Sequence, residues 1–369
     1  MSAATVRPAD TPTPDPSPQG GGEALQLAER IRAAAAARTP LRIVGGDTKA
    51  FYGRRTEGEA LNLAGHRGIL DYDPSELVVV ARAGTPLAEI EAALAGNGQR
   101  LAFEPPRLGL GSTIGGVVAA GLSGPRRPFA GAVRDCVLGA TILNGSGETL
   151  RFGGQVFKNV AGFDAFRLMA GALGSLGVIL EVSLRVAPNP RREAALALEM
   201  ESDAARTWLA QLMGRPNPLS GAFHDGARLH LRLSGGEAGV DGAVAELGGE
   251  AEALSFWDDV RDFRHPALAG DAPLWRLSLP QTAPIPAIGG VVAWDWAGGQ
   301  VWLRSDAAPD KVWGAAAAAG GHATRFRGAA AGEEVFQPLA PAILALHQRL
   351  KAAFDPAGVL NPGRMYGAL

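Results

Sequence analysis

In Leu41-Arg42-Ile43-Val44-Gly45-Gly46-Asp47-Thr48-Lys49 a short apolar run passes directly into two glycines and a polar tripeptide. The run has the composition of a buried strand, and the glycines at its end read as a turn without bulky side chains. Successive main-chain N–H groups in such a turn can converge on an anion such as a pyrophosphate. Taken alone, the loop reads more readily as an ordinary tight turn.

A second glycine loop, Gly109-Leu110-Gly111-Ser112-Thr113-Ile114-Gly115-Gly116, has the outward look of a dinucleotide fingerprint, with Asp135 downstream. That fingerprint needs a strand immediately before it. Glu104-Pro105-Pro106-Arg107 carries two prolines and cannot run as a central strand. A different nucleotide fold is required, and no GxxxxGK[ST] loop supports nucleotide hydrolysis by a P-loop.

Outward from these loops the chain alternates. Leu27, Ile31 and Ala35 recur at helical spacing up to Pro40. Leu77 to Ala81 reads as a buried strand, and Thr85 and Pro86 open a helix to Ala95, with Gly96 as its left-handed stop. Arg100 to Phe103 reads as a further strand, and the small-residue run Gly109 to Gly124 as a tightly packed helix. Val137 to Leu143 and Glu148 to Phe152 flank Asn144-Gly145-Ser146-Gly147, a hairpin signal. Val178 to Val186 is a strand before Pro188 and Pro190, which mark a boundary. Beyond it, Trp275 to Leu279 and Val301 to Arg304 predict a second α+β domain, and Ile343, Leu346, Leu350 and Phe354 line one face of a last helix. The expected division is a disordered tail over 1–22, a nucleotide domain over 23–190, a cap over 191–330 and a returning C-terminal helix and turn over 331–369.

With 369 residues the chain exceeds what one hydrophobic core usually spans. Its net charge of −2 leaves no excess of cations for nucleic acid, and no segment is apolar for long enough to span a membrane. Cys136 is the one cysteine, which excludes a disulfide framework and an iron–sulfur cluster ligated by this chain alone. Glycine, at 50 residues, is about twice its usual ~7% share, so backbone must approach something closely.

Six pieces in order resemble the FAD-binding domain shared by vanillyl-alcohol oxidase, D-lactate dehydrogenase and bacterial glycolate oxidase. They are the Gly45-Gly46 loop, Val80-Ala81-Arg82-Ala83-Gly84, Ser112-Thr113-Ile114-Gly115-Gly116, Lys158-Asn159-Val160-Ala161-Gly162-Phe163-Asp164, Gly171 to Val178, and Asp355-Pro356 with Asn361-Pro362-Gly363-Arg364. Ser123-Gly124-Pro125-Arg126-Arg127, Ala130 to Asp135 and Gly321-His322-Ala323-Thr324 are most similar to the E subunit of glycolate oxidase. The resemblance implies an α+β, PCMH-type two-lobed FAD domain with a reduced α+β cap over the flavin ring. It also implies that Gly45, Gly46, Asp47, Thr48 and Lys49 cradle the pyrophosphate, that Gly111, Ser112, Thr113, Gly115, Gly116 and Gly124 belong to the FAD site, and that Gly177 and Val178 lie against adenine. Phe163 and Ser175 stand where the family favours Tyr and Thr.

Oxidation of a 2-hydroxy acid needs a base for the hydroxyl proton and a cation for the carboxylate. The catalytic relatives' GHxGDGNxH motif is missing here, and no metal site is expected. His322 is the best base candidate and Arg276 the best carboxylate receiver; Arg126 and Arg127 are candidates for an FAD phosphate or a partner chain. His224 and His230 share a strand face expected at the surface. The implied partners are a second FAD subunit and an iron–sulfur subunit of glycolate oxidase, with a small 2-hydroxy acid as substrate. The implied location is cytoplasmic, reaching the inner membrane only through partners. The rival readings are a stand-alone 2-hydroxy acid dehydrogenase and a structural subunit with no flavin. A complex also predicts an exposed apolar patch, for which Trp294, Trp296 and Trp302 are the candidates.

Overall fold

Leu41–Val44 pairs in parallel with Glu59–Asn62, and Leu41 also bridges to Leu360 near the C-terminus. In the computed structural model, which describes residues 19–154 and 164–369, this small two-stranded unit carries the first glycine loop on its end. The helix Gln19–Ala37 covers it with Leu27 and Ile31, so helix begins inside the tail expected to be unstructured. The rest of that tail, and Lys158 to Phe163, lie outside the described residues.

The second unit is a five-stranded antiparallel sheet in the order Ile69–Asp73, Val78–Arg82, Val178–Arg185, Val137–Leu143, Thr149–Gly153. Its central strands are buried on both faces, which explains their continuous apolar runs. The hairpin forms with Leu143 opposite Thr149 because Asn144 Oδ1 accepts from the N–H groups of Ser146 and Glu148. The expected strand from Arg100 to Phe103 shrinks to Gln99–Arg100, paired with Ala187–Pro188, although Leu101 and Phe103 are buried. The helix Leu87–Ala95 ends with Gly96 still right-handed (φ −58°), and the chain reverses at Gly98 (φ +63°). The helix expected over Gly109 to Gly124 is confined to Ile114–Ala120, started by Thr113 Oγ1 accepting from Gly116 N–H and stopped by left-handed Gly121.

Between Arg192 and Arg327 the chain builds an eight-stranded antiparallel sheet. Alternation assigns its two faces: Trp275, Leu277 and Leu279 pack with Leu209 and Val312 of the helices Ser202–Met213 and Pro309–Ala318, while Leu274, Trp302 and Phe326 face Tyr52, Ala120, Leu122 and Leu173 of the nucleotide lobe. Trp294 and Trp302 are buried, so they form core and not the expected surface patch. Full packing on both sides of the sheet leaves aromatics at strand spacing nowhere to be exposed. Charge ties the lobes as well. Glu104 accepts from Arg126 (2.8 Å) and bidentately from Arg232 (2.8 and 2.7 Å), and Arg126 also meets Glu193 and Ser234. Among the described residues no helix is long and apolar enough to cross a membrane.

Candidate functional site

The two glycine loops lie against each other at the mouth of the small unit. A Cβ on Gly46 would overlap the carbonyl of Gly111, and one on Gly45 would strike the hydroxyl of Thr113. Only glycine permits that approach, and it opens a cavity of about 650 Å³ beside the loops. Asp47, left-handed at φ +55°, turns the chain there. Among the described residues the main-chain N–H groups of Gly45, Gly46, Asp47, Thr48 and Lys49 donate to no acceptor. The loop is part-exposed at the cavity wall, and a run of unpaired N–H groups beside a left-handed residue there is an anion-binding concavity.

Cations surround the run. Arg42, Lys49, Arg54, Arg55 and Arg364 line the cavity against Asp47. Lys49 Nζ donates to Ser112 Oγ at 2.7 Å, and burial lowers its pKa to about 8 despite the opposing charge of Asp262. Thr56 also lines the cavity, with a buried hydroxyl that meets no partner. The C-terminal motif holds this geometry in place. Arg364 donates to the carbonyls of Ala50 (3.0 Å), Tyr52 (2.7 Å) and Arg54 (2.9 Å), while Asn361 bridges Ile43 N–H and the Leu173 carbonyl. Lys351, buried, is tied to Asp355 at 2.7 Å and to the carbonyls of Ser175 and Leu360.

Gly45, Gly46, Asp47, Thr48, Lys49, Thr113 and Gly116 line the main cavity, and Gly115 and Gly177 line an adjoining one of about 90 Å³ that shares Gly45, Thr113 and Gly116 with it. Gly111 and Ser112 stand behind, touching the first loop. Val178 is buried in its strand and lines neither. Gly124 is not brought to the cleft: its N–H donates to Phe103, its carbonyl accepts from Trp296 Nε1 at 3.0 Å, and a Cβ there would strike Glu104. Its smallness serves packing between the lobes. Arg126 is likewise consumed by the ion network.

Arg276 and His322 share the sheet face turned to the nucleotide lobe, since Arg276 pairs opposite Thr324 and Ser278 opposite His322. Arg276 donates to the Tyr52 hydroxyl at 2.9 Å. Desolvation, and then the Arg276 charge, lower the His322 pKa from the ordinary histidine value, although the side chain is exposed at the end of its strand. Neither lines the cavities beside the glycine loops. His224 and His230 are buried instead of surface-exposed: His224 Nε2 meets the Met200 carbonyl, and His230 lies between Glu252 (3.1 Å) and Asp225 (3.3 Å). Among the described residues no His, Cys, Asp and Glu cluster is placed to hold a metal. Arg54, Thr56, Asn361 and Arg364 were not candidates from the sequence; the polar run after the first loop and the C-terminal motif were the available signals.

The donor set fits a nucleotide diphosphate: unpaired amides, a ring of cations, and an orphaned hydroxyl. Comparison with known proteins agrees. Residues 22–153 match the model of the FAD binding domain, and residues 327–365 match the C-terminal domain of FAD linked oxidases. Alkyldihydroxyacetonephosphate synthase superimposes with a TM-score of 0.63 at 14% identity, covering 91% of this chain and 74% of that one, and so shares the fold. Glycolate oxidase subunit GlcD of Bacillus subtilis is 31% identical over 43% of this chain and 34% of its own length. Glycolate oxidase subunit GlcE of Escherichia coli is 47% identical over 343 residues, 93% of this chain and 97% of that protein. At that identity over nearly the whole of both chains, the protein belongs to the family of glycolate oxidase subunit GlcE.

Proposed function

We propose that this chain is an FAD-holding subunit of a glycolate oxidase complex, working in the oxidation of glycolate to glyoxylate beside a second flavin subunit and an iron–sulfur subunit. The observation that carries this reading is the unpaired amide run from Gly45 to Lys49 facing a cation-rich cavity. In it, Gly45 to Lys49 hold the diphosphate, with Lys49 and Arg364 supplying charge, and Thr113, Gly115 and Gly116 lie along the chain between diphosphate and ring. Bound FAD supplies a two-electron acceptor. Arg276 and His322 lie on the sheet face turned toward the nucleotide lobe, where a carboxylate receiver and a neutral base are available. With Cys136 as its sole cysteine, the chain needs another subunit to carry electrons onward through iron and sulfur.

Purification of the tagged chain from its native host, with flavin and iron assays, tests this. The expected result is a complex holding FAD and non-haem iron that reduces a dye with glycolate, while the isolated FAD-loaded chain is not bleached by glycolate without oxygen. Bleaching of the isolated chain would make it a stand-alone dehydrogenase. Absence of flavin from the chain, alone and in the complex, would make it structural.

A further inference from the structure

A second cavity, of about 310 Å³, opens between the lobes and shares no lining residue with the nucleotide cleft. That volume is at the lower end of the ~300–1,000 Å³ of small-molecule sites. On one wall stands Arg127, at the start of the short helix Arg127–Ala130; on the other lies the turn Trp296–Gly298, which comes after strand Val291–Asp295. The guanidinium of Arg127 stacks on the Trp296 ring, 4.1 Å from its centre. Stacking fixes the plane of the fork and leaves its N–H edges free. Among the described residues those edges donate to no acceptor and form no ion pair, although the side chain is half-buried.

The surroundings make this a cationic site. Burial, then the charges of Arg276 and Arg134, hold the Arg127 guanidinium below its ordinary range, with Asp135 acting the other way. Asp135 also lines the cavity, but its carboxylate lies 3.8 Å from Arg134 and accepts from Ala132 N–H at 2.9 Å, so its single charge is shared between two guanidinium groups. Ser278 and Gln281 add hydroxyl and amide groups to the lining. The wall that carries Trp296 is held in an unfavourable form: Trp296 and Ala297 both sit in the left-handed region, at φ +54° and +55°. Such backbone persists where the surroundings over-determine it, and it clusters at ligand sites. Here the Trp296 Nε1 bond to the Gly124 carbonyl and the Asp295 carboxylate accepting from Trp296 N–H hold it.

We infer that this cavity is a binding site for a small carboxylate, received by the Arg127 fork over Trp296. The anion chemistry comes from the unpaired guanidinium and its cationic neighbours; the choice of glycolate as the carboxylate rests on the proposed role in glycolate oxidation. Ser278, on the cavity wall, pairs opposite His322 and lies two residues from Arg276 on the same strand face, so an acid whose carboxylate is held by Arg127 stands beside both.

Calorimetric titration of the FAD-loaded full chain with sodium glycolate tests the inference, with flavin absorbance and thermal midpoint recorded for each variant. One glycolate per chain is expected, with affinity falling at least tenfold in Arg127→Gln. Arg127→Lys, which keeps the charge and loses the fork, is expected to fall between the two, and it carries the test if Arg127→Gln does not fold. Unchanged affinity in Arg127→Gln, no glycolate binding to the wild type, or binding of inorganic phosphate in its place would overturn the proposal. Glycolate binding by a chain that takes up no FAD when it is supplied would support this site while counting against the flavin reading.

Discussion

At the scale of the residue, Lys49 sets the chemistry of the cleft. Its ammonium is part-buried against Ser112, and desolvation lowers its pKa to about 8. A diphosphate beside it favours the charged form, so binding takes up a proton at any pH above that value. FAD affinity should therefore be flat below about pH 7.5 and fall by up to about tenfold per pH unit above pH 8. Lys49→Met should weaken binding about tenfold or more at pH 7, from loss of a charged hydrogen bond of about 1.5–3 kcal/mol, and should flatten the pH profile. Fluorescence titration of FAD across pH measures both. That Lys49 would stand beside the first glycine loop at a cleft was legible from its place at the end of a glycine turn. Its shifted pKa was not, since that comes from burial and from residues as distant in sequence as Ser112 and Asp262. The same limit applies to His224 and His230: alternation puts them on one face, but only the folded sheet reveals that this face is covered.

At the scale of the element, the first glycine loop depends on a segment from the other end of the chain. Three carbonyls between Ala50 and Arg54 take their hydrogen bonds from the guanidinium of Arg364. Arg364→Met should leave the protein folded but weaken FAD binding about tenfold, the effect of losing about 1.4 kcal/mol of loop ordering. The comparison of FAD affinity with thermal midpoint separates this from general instability. Elements governed by local chemistry were readable: the hairpin at Asn144, the buried runs of the five-stranded sheet, and the amphipathic helix Leu87–Ala95. Elements decided by neighbours were less so. The small residues from Gly109 to Gly124 carry no signal for where helix starts, and the Thr113 cap settles it. In the helix Pro341–Phe354 the apolar spacing suggested one buried face, yet Ile343 and Leu346 are exposed and only the end near Lys351 reaches the core.

At the scale of the whole molecule, a buried carboxylate couples the lobes. Burial pushes the Glu104 carboxyl up, but Arg232 and Arg126 outweigh it and hold the group below its ordinary value. Its contribution is present above the unfolded value of 4.5 and is lost as pH falls through the depressed folded one. Glu104→Gln leaves two buried guanidinium groups short of charge and should cost about 3–5 kcal/mol in urea unfolding at pH 7, with the lobes unfolding in separate steps. None of this was legible locally, because Glu104, Arg126, Glu193 and Arg232 meet only in the fold. The glycine loops were legible, and they carry the central claim that main-chain amides from Gly45 to Lys49 hold an FAD diphosphate. Its most direct test is the flavin content of the purified full chain beside that of Gly46→Ala, whose added methyl group would collide with the Gly111 carbonyl. One FAD per wild-type chain and a loss of most of it in the folded variant is the predicted result; a wild-type chain that takes up no FAD, or a variant that holds it equally well, would contradict the account.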